Sequence, residues 1–301
     1  MKFQLILSSG IDKKKWDDTI LTSDNCSVYA LSWYLDHVAD SWGGIISEEY
    51  STILPLCFRK KFGINYIYQP FFTRNTAIYG NREYISELFS TLAELKGTYK
   101  FWDFCLEGIL PPLEKCIYTN RIYQSLNLDF SYEELTKKYA GNLKRSIRDA
   151  KTAELKITHT NNCSVFTSRF KEYTSHRIKE FKERDYIKLE QLLELCKKHT
   201  EYHFLSVLKN EKELATAFIC KSGSRFIYIE GYSSPEGRTM QAMHFLFDHF
   251  IETHCGKPYI LDFGGSNVPG IAHFFHAFGA TDRTYNHLYM NNLPPIIRRL
   301  K

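Results

Sequence analysis

The sequence predicts a mixed α/β protein of two domains that share one order of elements, and three observations carry this. Ile260-Leu261-Asp262-Phe263-Gly264-Gly265-Ser266 is a short apolar run ending in an acid and two glycines; Pro269-Gly270 then open a compact apolar helix that Gly279 closes. Strand, glycine turn, helix and a further strand (Tyr285 to Met290) is how α/β folds place a ligand at the carboxyl ends of strands. Upstream, β-rich runs at 202–208, 214–220 and 225–230, joined by Asn210-Glu211-Lys212 and Ser222-Gly223-Ser224, read as an antiparallel meander. A worn version of the same order, with no detectable sequence repeat, runs from residue 3 to about 128.

Taken in order, Phe3 to Leu7 reads as a strand, followed by helices near Lys13–Ile20 and Ala30–Ala39. Trp42 to Ile46 and Ser51 to Arg59 form a hairpin, and Ile64 to Pro70 is a strand ended by proline. Apolar residues at 85, 88, 89, 92 and 95 give Glu83 to Lys96 a helical period that Gly97 stops. Lys100 to Cys105 and Tyr118 to Leu128 are strands. Ser131 and Glu134 form a capping box that opens a linking helix, 133–151. The second domain continues with a strand (155–158), helices at Cys163–Lys182 and Ile187–Lys198, the meander, and a helix from Met240 to Thr253. The expected domains are 1–130 and 131–301, packed across a shared cleft.

Composition narrows the function classes. Hydrophobic residues make up 44% and aromatic residues 15%, with 20 Tyr and 22 Phe, enough to line pockets as well as cores. Net charge is +5, from 39 basic and 34 acidic residues, too mild for a dedicated nucleic-acid binder but compatible with one anionic ligand. The amino terminus has too short an apolar run for a signal peptide, and no window approaches a membrane span. The eight cysteines are scattered without a C-x-x-C pair, as in a reduced cytoplasmic protein with buried thiols.

The wording D-F-G-G-S followed by G-I-A-x-F-F-x-x-F-G-A, with Asn142 to Lys151 and the run 203–291, resembles the Fem-type (FemAB-like) branch of the GNAT acyl-CoA N-acyltransferase superfamily. Two helices, a meander, a helix, a strand, a helix and a strand is also that superfamily's order. The resemblance implies tandem GNAT domains: the first degenerate and facing the acceptor, the second holding the donor. It implies a coenzyme A site at Gly237, Arg238, Thr239, Met240, Gln241 and Ala242, where a helix N-terminus meets pyrophosphate. Arg238 fits the family pattern, whereas Gln241 and Met243 stand where small residues are expected. Phe275 stands where Fem-type enzymes often carry a lysine, and there is no room for their helical arm.

Acyl transfer to an amine needs a base, and a strand-end carboxylate can serve. Glu230 closes the 225–230 strand and is the first candidate, with Tyr232 as acid. Alternation places Phe226, Tyr228 and Glu230 on one face. Glu230 also reads as a solvated strand-end residue, and Asp262, the third catalytic candidate, also reads as a cap on the Gly264-Gly265 turn. Lys144 and Arg148, on one helix face of a basic run, are candidates for an acceptor phosphate or carboxylate. Gln69, Arg74 and Asp103 are acceptor-side candidates from their strand-end positions. His244, Asp248 and His249 lie near one helical turn without a third ligand at convincing spacing, so no metal is expected. Ser266 lacks a nucleophile elbow.

The expected activity is N-acyl transfer from acyl-CoA, or a similar activated donor, to a small-molecule or peptide-like amine. Two alternatives stand beside it. One is an aminoacyl-tRNA-dependent ligase acting on a cell-wall precursor, disfavoured by the missing arm and mild charge. The other is a non-catalytic protein that kept the fold and lost the donor loop.

Overall fold

Period-two runs and amphipathic helices alternate along the chain, and the computed structural model, which describes residues 1–176, 180–264 and 269–294, forms them into fourteen strands and ten helices. In chain order these are β1 (Phe3–Leu7), α1 (Lys13–Thr22), α2 (Ser32–Val38), β2 (Ser41–Ser47), β3 (Thr52–Lys61), β4 (Ile64–Tyr68), β5 (Thr76–Ala77), β6 (Tyr79–Gly80), α3 (Ile85–Glu94) and β7 (Tyr99–Glu107). Then follow β8 (Ile117–Asn127), α4 (Tyr132–Lys137), α5 (Gly141–Thr152), β9 (Lys156–His159), α6 (Cys163–Thr174), α7 (Glu183–His199), β10 (Tyr202–Lys209), β11 (Lys212–Ser222) and β12 (Arg225–Ser233). The chain continues through α8 (Pro235–Thr239), α9 (Ala242–His254), β13 (Ile260–Asp262), α10 (Pro269–His276) and β14 (Thr281–Asn291).

The chain forms two compact units: Met1–Arg121 with Thr284–Lys301, and Ile122–Arg283. A single cut near residue 130 therefore does not separate them. In the first unit β1, β2, β3 and β4 run antiparallel, β7 lies parallel to β4, and β14 closes antiparallel on β7 through Asn286↔Leu106 to Asn291↔Phe101. In the second, β9 to β12 run antiparallel, β13 lies parallel to β12, and β8 closes antiparallel on β13. The plan is the same twice, but the closing strands are exchanged. The strand after β7 in the chain closes the second sheet, and the strand after β13 closes the first.

In the first unit, α3 presents Leu88, Phe89 and Leu92 to a core with Ile45, Leu54, Leu56, Trp102 and Phe104. Trp16 of α1 is fully buried, and its ring lies where a Cβ on Gly44 would stand, 2.6 Å away, so β2 needs glycine there. In the second unit, Leu246, Phe247, Phe250 and Ile251 of α9 pack with Leu143 and Ile147 of α5 against one sheet face. Phe166 of α6 covers the other face, edge-on to Phe204 of β10 and tilted against Tyr232 of β12.

Three helix expectations are corrected. The linking helix 133–151 is two helices. Between them the Ala140 N–H donates to Ala277 O, and Tyr139 is buried edge-on to Phe278, so tertiary contacts hold the break. The helix expected from Cys163 to Lys182 stops at Thr174, and α7 starts early because Asp185 accepts the Lys182 backbone N–H at 2.8 Å. The helix expected from Met240 to Thr253 is α9, starting two residues later because Gln241 adopts φ +57°, and the short α8 before it was not expected.

Candidate functional site

The second unit's parallel pair is short. β12 and β13 are in register for only Arg225↔Ile260, Phe226↔Leu261 and Ile227↔Asp262. Beyond Asp262 the chain turns through Gly264 at φ +77°, where a Cβ would stand 2.9 Å from Tyr228 O. Asp262, fully buried, fixes this turn: its Oδ1 accepts the Gly264 N–H at 3.0 Å and its Oδ2 lies 3.3 Å from Arg225 Nη1. β12 meanwhile runs on to Ser233, and among the described residues no strand lies on that edge of residues 228–233. Backbone groups on a splayed strand edge are free to meet a ligand. Gly265 and Ser266 lie outside the described residues.

A bulge sits at the mouth of this splay. Phe218 pairs with Glu230, whereas the next residue, Ile219, pairs with Tyr228, so Ile229 is an extra residue in β12. A bulge re-aims side chains by shifting the alternation. Phe226 and Tyr228 thus share the α9 face, each in edge contact with that helix, whereas Glu230 and Tyr232 share the α6 face with Phe218. The simple alternation that put Phe226, Tyr228 and Glu230 together is corrected by that one residue. Glu230 is half-buried and has no hydrogen-bond or ion-pair partner among the described residues. Burial pushes its carboxyl up to about 8, because losing water disfavours the charged form.

Tyr232 is tied into a network. Its hydroxyl donates to Glu213 Oε1, Glu213 Oε2 accepts Ser206 Oγ at 2.8 Å, and Ser206 Oγ lies 2.8 Å from Thr216 Oγ1. Burial and the Glu213 hydrogen bond raise its phenol. Glu213 was not legible as a partner, since nothing in a glutamate near a strand start shows which side chain meets it across the sheet.

The segment expected to hold the donor folds on itself. The Ser234 side chain caps α8 by accepting the Gly237 N–H at 3.0 Å; the Arg238, Met240 and Gln241 N–H groups donate to Ser234 O, Glu236 O and Arg238 O. A Cβ on Gly237 would stand 2.1 Å from Leu214 O, so this glycine allows the turn to rest on β11. The Arg238 guanidinium donates to Ser233 O at 2.7 Å, Thr239 Oγ1 donates to Pro235 O at 3.2 Å, and the Gln241 side chain donates to Arg238 O at 3.1 Å. Met240 packs on the core and Ala242 is fully buried. The Gln241 side chain does not cap the N-terminus of α9. Its first turn is the segment's remaining feature suited to an anion.

The other candidates fall in separate places. Lys144 lies at the rim of a shallow cavity of about 330 Å³ with Lys137, Tyr132, Tyr139 and Asp248, while Arg148 is exposed and does not line it. Asp248 is buried, accepts the Tyr132 hydroxyl at 2.8 Å, and has its carboxyl raised by burial. His244 instead packs on Phe274, ring centroids 4.5 Å apart, and burial lowers it to about 4. In the first unit, Gln69 and Asp103 share a cavity of about 260 Å³ with Arg59, Lys61, Tyr66, Tyr68 and Phe101. Gln69 Oε1 accepts the Cys105 N–H at 2.9 Å, and Asp103 Oδ1 lies 2.7 Å from His287 Nε2. Arg74 is not in that lining; its Nε donates to Asn75 Oδ1 at 2.8 Å.

No family model and no curated protein matches the chain in sequence. Solved structures do match in fold. The chain is similar to FemX with a TM-score of 0.66 at 14% identity, covering 100% of this chain and 99% of that one. It is similar to L-PGS from Bacillus licheniformis with a TM-score of 0.54 at 11% identity, covering 96% and 95%. A tandem GNAT protein from the clavulanic acid biosynthesis pathway gives 0.53 at 10% identity, covering 97% and 99%. The fold is that of the Fem-like, tandem GNAT group. Among the described residues no helix is long and apolar enough to cross a membrane, and all eight cysteines are free thiols.

Proposed function

We propose that this protein is an N-acyltransferase that moves an acyl group from an activated donor to a small-molecule or peptide-like amine. One observation carries the reading: a half-buried carboxyl, Glu230, with no hydrogen-bond or ion-pair partner among the described residues, beside the edge where β12 outruns β13. An acyl group laid along that edge would present its carbonyl to a backbone N–H, which stabilises the oxyanion as the amine nitrogen attacks. Glu230 accepts the amine proton, directly or through water; the new C–N bond forms, the bond to the leaving group breaks, and the proton passes to that group. Acyl-CoA is the first donor, with its pyrophosphate against Arg238 and the first turn of α9. No metal enters this scheme, and eight free thiols suit the reducing cytoplasm.

A second donor is favoured by the self-satisfied 234–241 segment. A donor that needs no pyrophosphate grip, such as an aminoacyl-tRNA ester, fits engaged amides better than coenzyme A does. Thermal shift separates the two. If acyl-CoA is the donor, coenzyme A raises the melting temperature by mass action and Arg238→Glu removes the shift. No shift with acetyl- or longer acyl-CoA sinks the coenzyme A reading. For the reaction itself, Glu230→Gln should cost about 10²–10⁴ in turnover with donor binding nearly unchanged. Equal turnover by the two proteins would leave Glu230 a strand-end residue and make Asp262 or Tyr232 the next candidate base.

A further inference from the structure

The turn between β3 and β4 is built against the usual rules. It has two residues, Phe62 and Gly63, at φ +51° and +76°. Both central residues at positive φ is the primed hairpin turn that Asn-Gly or Asp-Gly normally fills. Phe62 stands instead in the first position, where a Cβ is disfavoured, and the residue is 88% exposed. A bulky apolar residue that is costly for the backbone and packs on no core needs a role outside the fold.

The charge behind it supplies one. Lys60 and Lys61 are exposed, and the Lys61 ammonium lies 5.4 Å from the Phe62 ring. Lys60 pairs with Asn65, and Asn65 pairs across with Tyr99, which brings exposed Lys100 to the same end of the sheet. Neither 58–66 nor 96–101 contains an acid. Arg59 is held by Asp40 at 2.6 Å and is not counted. Ile109, 98% exposed, instead has Glu107 and Glu114 near it in the chain. Strand rise is about 3.3 Å per residue, so the cations sit one to three residues behind the apolar tip. That matches an interfacial anchor, whose apolar part enters about 5–10 Å while its cations stay with the headgroups. Nucleic acid instead favours cations spread along a groove.

We infer that the Phe62 turn docks the protein on an anionic lipid surface, with Phe62 entering the interface and Lys60, Lys61 and Lys100 meeting headgroup charge. The test is co-sedimentation of the full chain with phosphatidylcholine vesicles, with and without phosphatidylglycerol. Binding should need the anionic lipid and fall with added salt. Phe62→Ser should weaken it about tenfold, from the lost burial of one phenyl group. Lys60→Glu with Lys61→Glu should weaken it more than about tenfold. Melting temperature should hold in the charge variants and hold or rise in Phe62→Ser. In Phe62→Trp, the indole emission should shift to the blue on anionic vesicles. No binding to anionic vesicles overturns the inference, as does binding that Phe62→Ser leaves intact. Phe62-dependent binding to a DNA duplex without vesicle binding overturns it in favour of a nucleic-acid surface.

Discussion

At the scale of single residues, the proposed catalytic base also sets a pH signature. Burial raises the Glu230 carboxyl from about 4.5 to about 8, so folding favours its protonated form. Its contribution to stability is complete below the ordinary carboxylate value and is lost as pH rises through about 8. Activity runs the other way, since only the ionised form accepts a proton. The wild-type rate should climb through an ionisation near 8 that Glu230→Gln lacks, and the variant should keep its melting temperature in alkaline buffer where wild type loses some. Parallel pH–rate profiles and parallel melting curves for the two proteins would refute this. His203 and His254 set the opposite limb. Their rings lie 4.5 Å apart among Phe226 and Phe250; burial lowers His203 to about 4 and lowers His254 as well. Both are neutral in the fold and protonate more readily when unfolded, so stability falls as pH drops from about 6.5 towards 4. His203→Phe should flatten that loss in urea titrations across the acid range; an unchanged slope would assign it elsewhere.

At the scale of elements, the turn from β12 into α9 decides whether the proposed donor phosphate can be held there. Gly237 has its amide on Ser234 Oγ and its α-carbon against Leu214 O. A methyl group there meets backbone rather than a flexible side chain, so the strand or the helix must move. Gly237→Ala should therefore destabilise the protein with no ligand present, by about 2 kcal/mol or more, the scale of overpacking. A variant as stable as wild type but with weakened coenzyme A affinity would instead assign this glycine to phosphate. Elements were largely legible from the sequence: the meander at 202–233, its two turns, and the Ser131–Glu134 capping box all follow from period and turn chemistry. What escaped were interruptions held by distant groups. Tyr139 breaks the linking helix by packing on Phe278, and Ile229 flips Glu230 to the α6 face through a bulge defined only by its pairing with β11. Neither Glu213 under Tyr232 nor Arg225 beside Asp262 leaves a local signal, because each partner is fixed by strand register.

At the scale of the whole chain, the element order was readable and the exchange of closing strands was not. β14 has the alternation of any half-buried strand, and nothing in Tyr285 to Met290 states which sheet receives it. The structure sets it against β7, with Leu288 opposite Phe104, Met290 opposite Trp102, and Leu288 and Met290 buried in the first unit's core. This gives a test in which two divisions of the chain predict opposite damage. Truncation after Arg283 removes Leu288, Met290 and Leu293, each 1% exposed or less. Buried apolar side chains contribute about 1.5–3 kcal/mol apiece, so their joint loss rivals the roughly 5–15 kcal/mol that holds a domain folded. The second unit, Ile122–Arg283, remains complete in that truncation. Hydrogen exchange on the truncated chain should show protection lost in β2, β3 and β7 and retained in β10, β11 and β12. A cut at residue 130 makes the reverse prediction: the first domain would stay protected, and the second, deprived of its last strand, would exchange.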